Sequence, residues 1–293
     1  MTPAQWQAAG GYFNWNGHRI FYRDDGGGHS ALLLIHGFPT ASWDYARVWP
    51  ALCRRFTRVI APDMLGFGFS DKPAAHPYSL VEQTDLHLAL LAQLGVQRIH
   101  VLAHDYGVSV AQELLARQLE RGDGDLQIAS VALLNGGLFP ETHRMTLTQR
   151  LLRSALGPWL ARQMNQQRFG KSFSVVFGKR GKPTLEELQD FWSLIAYNQG
   201  ARVMPRLIGY IDERRRRRAR WVGALQNTKV PIRLINGPDD PVSGAHMVAR
   251  YRELIAHPDT VSLPGVGHYP QTEAPDEVLS AYFEFLDRLK AAA

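Results

Sequence analysis

Six short apolar runs, separated by segments with helical periodicity, constrain the fold of this chain more than any other feature. This alternation is typical of a mostly parallel β-sheet whose strands are joined by crossover helices. Before the first run, Asn16-Gly17 separates two alternating segments and predicts a tight hairpin turn, so an antiparallel pair should begin the sheet. The six runs are residues 31–35, 59–61, 99–102, 131–134, 232–235 and 260–263. We therefore predict an α/β fold with its ligand site at the carboxyl ends of the strands.

The strongest local signal is the sequence Ala-His-Asp-Tyr-Gly at residues 103–107. A sharp strand-to-helix turn with small residues around its central side chain is typical of a nucleophile elbow, and Ala103 and Gly107 are small. The central residue is Asp105. A carboxylate attacks saturated carbon to give an alkyl ester, whereas serine attacks acyl carbon. An aspartate at this place can also be a simple helix cap, so the interpretation depends on its partners.

Two loops supply candidate partners for a nucleophile at position 105. The sequence His-Gly-Phe-Pro at 36–39 follows the first apolar run, and the backbone N–H of Phe38 could join that of Tyr106 in an oxyanion hole. The loop after the fifth run contains Asp240, the candidate acid, with Asp239 as the alternative.

The loop at residues 265–270 contains His268, the candidate base, shortly before the last helical segment. The three candidates appear in the order nucleophile, acid, base. Each motif alone is weak evidence, but together and at strand ends they point to one catalytic site.

These motifs resemble the α/β-hydrolase superfamily, and more narrowly its aspartate-nucleophile branch, where epoxide hydrolases and haloalkane dehalogenases carry His-Asp-Trp-Gly at the elbow. A closer resemblance is to the family of the mesoderm-specific transcript protein and its bacterial relatives. It is carried by residues 104–107, 111–115, 135–137, 139–144 and 220–225. The resemblance implies a cofactor-independent hydrolase with Asp105, Asp240 and His268 as its triad.

The alternation of runs stops between residues 138 and 225, where the sequence becomes helical and amphipathic. In the superfamily that this chain resembles, a helical cap occupies this place and encloses the nucleophile. We expect an α/β core from residues 1–137 and 226–293 and a cap from residues 138–225. The cap residue Trp192 and the two motif histidines, His36 and His104, are expected at the substrate pocket, although these histidines can equally be loop or core residues.

The leaving group is less constrained than the nucleophile. Epoxide opening needs an acid for the developing alkoxide, and the cap contains Tyr197 and Tyr210, of which we favour Tyr210. Halide release commonly uses a tryptophan after the nucleophile and a tryptophan or asparagine before the oxyanion-loop proline, where this chain has Tyr106 and Phe38. Tyr106 also departs from the epoxide hydrolase pattern.

We therefore expect an epoxide hydrolase-like enzyme that acts on a small apolar molecule and uses water as its second substrate. A haloalkane dehalogenase-like enzyme is the alternative, and a ligand-binding member of the fold without turnover is the alternative of another class. The intact triad residues favour an enzyme, because a receptor needs no base.

Composition bounds the remaining possibilities. The net charge is +6, and residues 214–220 contain six arginines, a number equal to this excess. We therefore expect the basic character to be local to this segment, on a solvated helix face. No nucleic-acid or membrane partner is expected, and the histidines show no metal-ligand spacing. The start of the chain lacks a secretory pattern and no apolar stretch reaches membrane length, so we expect a cytoplasmic protein; the oligomeric state stays open.

Overall fold

The computed structural model describes residues 1–122, 124 and 126–291. In those residues eight strands form a single sheet. The strands are β1 (Gly11–Trp15), β2 (His18–Gly26), β3 (Ser30–Ile35), β4 (Arg58–Pro62), β5 (Arg98–Ala103), β6 (Gln127–Leu133), β7 (Ile232–Asn236) and β8 (Asp259–Ser262). Their order across the sheet is β1-β2-β4-β3-β5-β6-β7-β8.

The helices are distributed before, between and after the strands. The α-helices are α1 (Pro3–Ala8), α2 (Trp49–Arg55), α3 (Leu80–Gln93), α4 (Tyr106–Arg121), α5 (Leu147–Arg153), α6 (Gly157–Arg162), α7 (Gln166–Phe173), α8 (Leu185–Ala196), α9 (Met204–Leu207), α10 (Tyr210–Arg216), α11 (Arg218–Asn227), α12 (Ala245–Leu254), α13 (Pro270–Glu273) and α14 (Pro275–Ala291). Short 3-10 helices cover Ser42–Tyr45, Ser174–Val176 and Tyr197–Val203.

Strand pairing confirms the predicted α/β architecture. β1 and β2 form an antiparallel hairpin, and β2 pairs antiparallel with β4. The hairpin turn places Asn16 and Gly17 at φ values of 52° and 82°, the left-handed conformations that a type I′ turn requires. All other pairs, from β4 through β8, are parallel.

The sheet is covered on both faces, so alternate residues of a central strand enter two different hydrophobic cores. In β3, Leu33 and Ile35 belong to one core, whereas Leu32 and Leu34 belong to the other. Each of these side chains is fully buried. Burial of one such side chain contributes about 2 kcal/mol, so this strand is fixed from both sides and its loop leaves the sheet at a defined place.

Residues 138–225, all of which are described, contain helices and no strand. We call this segment the helical insertion. Its predicted end at residue 225 falls inside α11, which continues to Asn227 and packs on α4 of the core. There the indole N–H of Trp221 donates to Glu113 at 2.8 Å. In the described part of the chain, no helix has the length and apolar character needed to cross a membrane.

Candidate active site

The loops after β3, β5, β7 and β8 meet at the carboxyl edge of the sheet, and the loop after β5 contains the elbow. Asp105 has φ 44° and ψ −101°, a strained backbone conformation for a residue with a side chain. Gly107 is needed for the tightness of this turn, because a Cβ atom there would lie 2.4 Å from the carbonyl oxygen of Ile35. The turn therefore holds the Asp105 carboxylate at the start of α4.

The two carboxylate oxygens of Asp105 have different surroundings. Oδ2 accepts a hydrogen bond from the backbone N–H of Phe38 at 3.0 Å. Oδ1 lies 3.7 Å from Nε2 of His268. One oxygen thus lies at the predicted oxyanion loop, and the other faces the predicted base.

The predicted base and acid are in direct contact. Nδ1 of His268 is 2.7 Å from Oδ2 of Asp240. The same carboxylate accepts hydrogen bonds from Asn135 Nδ2 at 2.9 Å, from Ser243 Oγ at 2.7 Å and from the N–H of Val242 at 2.7 Å. With four donors around it, the Asp240 carboxylate is fixed in position and keeps the imidazole in one orientation.

Asp239, the alternative acid, is exposed, and its backbone N–H donates to the carbonyl of Val266. The structure therefore places Asp240 and not Asp239 beside the histidine. The loop at residues 36–39 and the side chains of Asp105, Asp240 and His268 lie together at this edge, and their catalytic roles stay a prediction.

Neighbouring charges shift the pKa values of Asp240, His268 and Asp105. Burial raises the pKa of Asp240, but His268 and the surrounding donors lower it more, so the net shift is downward. Burial lowers the pKa of His268, yet Asp240 and then Asp105 raise it well above its ordinary value. Burial likewise raises the pKa of Asp105, and the neighbouring His268 and Arg214 bring it below its ordinary value. Both carboxylates are therefore ionised at neutral pH.

Arg214 corrects the prediction that residues 214–220 form a solvated face. Its guanidinium is 2% exposed and lies against the nucleophile elbow. Nε donates to Ser109 Oγ at 2.7 Å, and Nη2 donates to the backbone carbonyl of Asp105 at 2.7 Å. Nη2 is also 4.0 Å from Asp105 Oδ1. This arginine is thus a buried cation beside the candidate nucleophile, held by neutral acceptors.

His143 lies beside the same guanidinium. Both side chains pack against Gly137. A Cβ atom on this glycine would lie 2.6 Å from Nη1 of Arg214 and 3.1 Å from Nδ1 of His143. Arg214 Nη1 and both ring nitrogens of His143 are buried and have no hydrogen-bond partner among the described residues. Burial and the arginine charge lower the pKa of His143 to about 4, so the ring is neutral at pH 7.

Only some of the other arginines of the run are solvated, as was predicted for the whole run. Arg215 and Arg216 are exposed. Arg218 pairs with Glu141, and Arg220 pairs with Glu113 and Glu120. The charge of this run is therefore largely balanced by neighbouring carboxylates.

A pocket of about 540 Å³, counted to its open mouth, lies next to the triad. Phe38 and His268 form its inner end. Its walls are mainly apolar, and most come from the helical insertion. They include Gln149, Leu152, Met164, Phe169, Phe173 and Met204. A mainly apolar lining with a few polar groups is typical of pockets that bind small molecules.

Two predicted substrate residues lie close to this pocket. Tyr210 is 2% exposed, its hydroxyl is 3.5 Å from Nε2 of the pocket residue Gln149, and its ring lies 4.5 Å below the Arg214 guanidinium. Trp192 packs against the pocket residue Phe169, with ring centres 5.8 Å apart, but does not itself line the pocket. Tyr210 is therefore the cap tyrosine that the structure brings near the nucleophile.

Three other predicted substrate residues have different roles. Tyr197 packs on Phe69, with ring centres 5.2 Å apart, and lies below the Lys72 ammonium. It is not among the residues that line the pocket. The prediction of Tyr197 as a substrate residue is therefore wrong.

His36 and His104 are core histidines that hold the loops. Nε2 of His36 accepts from the N–H of Met64 at 3.0 Å, and Nδ1 faces the carbonyl of Gly37 at 2.8 Å. Nε2 of His104 lies 2.7 Å from the carbonyl oxygen of His268. Burial lowers the pKa of both, to about 3 and about 4. Neither lines the pocket, so their placement in it was wrong.

Several residues of the site were not predicted from the sequence. Asn135 donates to Asp240, the candidate acid. Glu273 fixes the loop of His268, the candidate base, by accepting hydrogen bonds from the N–H groups of Gly178, Gly267 and Tyr269. Among the described residues, no group of three or more histidines, cysteines or carboxylates is arranged to hold a metal ion.

Comparison with known proteins agrees with this geometry. A family model described as "Alpha/beta hydrolase family" matches residues 32–281. The human mesoderm-specific transcript homolog protein is 45% identical over 98% of this chain and 89% of its own length. The putative hydrolase LipZ of Mycobacterium tuberculosis is 37% identical over 96% of this chain and 97% of its own length.

Among solved structures, a loop variant of the haloalkane dehalogenase DbeA from Bradyrhizobium elkanii superposes with a TM-score of 0.80. It covers 97% of both chains at 20% identity, which shows a shared fold. The family match, the relatives and the fold together establish that this chain belongs to the alpha/beta hydrolase family.

Proposed function

We propose that this hydrolase uses Asp105 as its nucleophile, forms an alkyl ester with its substrate and opens epoxides of small apolar molecules. The observation that carries the proposal is the asymmetry of the Asp105 carboxylate. Its Oδ2 is held by the Phe38 N–H at 3.0 Å, whereas its Oδ1 accepts no hydrogen bond from the described residues and lies 3.7 Å from His268 Nε2. An ionised oxygen in that position can attack carbon.

In the first step, Oδ1 attacks one epoxide carbon and the carbon–oxygen bond of the ring breaks. The bonding electrons go to the ring oxygen, which becomes an alkoxide and takes a proton from the Tyr210 hydroxyl. Tyr210 can donate this proton, because in its contact with Gln149 Nε2 the hydroxyl oxygen is the acceptor. The products of this step are a neutral ester on Asp105 and an alcohol.

In the second step, Nε2 of His268 removes a proton from water, and the water oxygen attacks the ester carbon of Asp105. The carbonyl oxygen, Oδ2, becomes the oxyanion at the N–H of Phe38. We place the second donor at Tyr106, whose N–H is the first of α4. When the intermediate collapses, the bond between Oδ1 and the carboxyl carbon of Asp105 breaks, and Oδ1 leaves with the product. It takes the proton that His268 holds and becomes the second hydroxyl, while the proton of the hydroxyl that water supplied returns to the Tyr210 oxygen. The Asp105 carboxylate keeps the water oxygen.

The charges of the site support this order of steps. While Asp105 is ionised, it helps to raise the pKa of His268. Ester formation removes that negative charge, so the pKa of His268 falls and the imidazole becomes able to accept a proton from water. The base is therefore activated by the first step.

Replacement of Tyr210 tests the proposed acid. Tyr210→Phe should lower epoxide turnover by roughly a hundredfold, the usual contribution of a positioned general acid. Diol formation in steady state measures this. Tyr197→Phe is the matched control and should retain turnover, because Tyr197 lies away from the pocket. Equal turnover in wild type and Tyr210→Phe would remove Tyr210 from the reaction.

A haloalkane dehalogenase is the second candidate, because a buried Arg214 cation beside the nucleophile suits a leaving halide as well as an alkoxide. A panel of terminal epoxides and chloro- or bromoalkanes, with diol and halide measured separately, tests the proposal. We expect diol from the epoxides and little halide. Halide release without diol would favour the second candidate. Binding without any product would favour a ligand-binding protein.

A further inference from the structure

Residues 142–185 of the helical insertion have an unusual charge composition. They contain nine lysines and arginines and no aspartate or glutamate. The whole chain has 33 basic and 27 acidic residues, so the remainder has 24 basic against 27 acidic, a net charge of −3. The positive excess of the protein therefore comes from this one segment.

Most of these basic side chains are available to a partner. Arg153 pairs with Asp212, and Arg180 pairs with Glu277. Arg150, Arg162 and Lys171 are exposed, and within the described residues they make no ion pair. This differs from residues 214–220, whose charges are largely balanced by carboxylates.

The same segment exposes large apolar side chains. Leu147 is 72% exposed and Leu151 is 41% exposed, one helical turn apart on α5. Leu156, directly before the adjacent helix α6, is 62% exposed, and Trp159, within α6, is 60% exposed. We call these four residues, together with the exposed Arg150, Arg162 and Lys171 of the same segment, the cap patch. Exposed leucines and a tryptophan among cations are the pattern of a surface that lies in a lipid interface.

The cap patch lies over the candidate active site. On α5, Thr148, Gln149 and Leu152 line the pocket, whereas Leu147 and Leu151 of the same helix face solvent. One helix therefore separates the outer surface from the pocket wall. A molecule that leaves a lipid phase at the cap patch has a short path to the pocket.

We propose that the cap patch binds the surface of a bilayer that contains anionic lipids and presents the pocket to that surface. Charge complementarity favours this occupant. A second copy of the chain would bring two strongly basic surfaces together, and a nucleic acid would leave four apolar side chains without a partner. The inference replaces the expectation of no membrane partner and does not depend on the role of Asp105.

Vesicle flotation with the full chain tests the proposal. The vesicles are pure phosphatidylcholine, or phosphatidylcholine with phosphatidylglycerol as about a quarter of the lipid, enough to give a negative surface. We expect binding to the mixed vesicles only. Binding should weaken strongly between about 0.1 M and 1 M salt, because the Debye length falls from about 10 Å to about 3 Å.

Three variants separate the contributions. Arg150→Gln, Arg162→Gln and Lys171→Gln together should weaken partitioning by tenfold or more, since each basic residue near an anionic surface contributes about a fivefold effect. Leu147→Ser, Leu151→Ser and Trp159→Ser together should weaken it to a similar extent. The matched control, Arg98→Gln, Arg121→Gln and Lys290→Gln, removes the same charge from exposed residues outside the helical insertion and should bind within about twofold of wild type.

Thermal melting verifies that each variant is folded, and all the changed residues are at least partly exposed. Absence of wild-type binding to mixed vesicles would overturn the proposal. So would an equal loss in the cap patch and control charge variants, which would indicate net charge and not a docking surface. A wild-type dimer that the serine variant converts to monomer, without vesicle binding, would assign the patch to a second copy.

Discussion

His268→Gln is expected to stop turnover and to accumulate the alkyl ester on Asp105. The attacking oxygen needs no base, and in the variant the Arg214 charge and the Phe38 N–H still favour the ionised form of Asp105, so the first step survives the change. Hydrolysis of the ester loses its proton acceptor, and steady-state turnover should fall by roughly four orders of magnitude or more. Intact-protein mass spectrometry should show one substrate mass added to each protein molecule.

His257→Gln, at an exposed position, is the control for this experiment and should turn over normally without a stable adduct. Peptide mapping of the His268→Gln adduct should place the added mass on Asp105. Label on another residue would contradict the assignment of the nucleophile. Rapid diol formation by the variant would show that His268 is not the base.

The second large effect is expected at Arg214. Arg214→Met removes the buried cation that lies 4.0 Å from Asp105 Oδ1 and should slow ester formation by roughly a hundredfold, the usual loss for one electrostatic contact in a closed site. The rate is best measured as adduct formation in the His268→Gln background, because only the first step remains there.

Removal of Arg214 should also change the pH dependence of ester formation. Arg214 is one of the charges that lower the pKa of Asp105, so without it this pKa rises. The carboxylate is then protonated at a higher pH, and the acidic limb of the rate profile moves upward. A merely structural arginine would leave this limb in place.

Arg220→Met is the matched control for Arg214. It removes an arginine of the same run whose charge is paired with Glu113 and Glu120 on α4 instead of lying beside Asp105. We expect lower stability and an unchanged rate of ester formation. An equal loss of rate in both variants would assign Arg214 to folding alone.

Sequence analysis identified the parts of the molecule that depend on local patterns. The hairpin at Asn16-Gly17 follows from backbone conformations that few other residue pairs adopt. The small residue at Gly107 follows from the contact with the Ile35 carbonyl, which any strand-to-helix turn of this shape would make. The positions of Asp105, Asp240 and His268 at one edge follow from the parallel order of their strands.

The contacts that depend on packing between distant segments were missed. Arg214 was interpreted as solvated because five of the six residues that follow it are also arginines. Its partners, Ser109 and the carbonyl of Asp105, are more than a hundred residues away in the sequence. A signal was nevertheless present, because residues 207, 210, 211 and 214 have the spacing of one buried helix face. The expected solvated charge proved to be in residues 142–185.

Tyr197 is a residue that was predicted at the pocket and lies elsewhere. The helical insertion contains two tyrosines, Tyr197 and Tyr210, and its residue pattern does not predict which of their side chains lies near the pocket. Asn198 and Gln199 have positive φ values of 48° and 59°, a kink that helical periodicity does not predict. Tyr197, just before this kink, packs on Phe69, whereas the Tyr210 hydroxyl contacts the pocket residue Gln149.

Isotope transfer from water in the wild-type enzyme tests the covalent mechanism most directly. In a single turnover with excess enzyme in ¹⁸O-water, the account predicts that the labelled oxygen enters the Asp105 carboxylate while the new hydroxyl of the product carries unlabelled oxygen from the enzyme. Mass spectrometry of the Asp105 peptide and of the product measures both. A product that takes the labelled oxygen, with an unlabelled Asp105 peptide, would show direct attack of water on the substrate and would contradict an alkyl ester on Asp105.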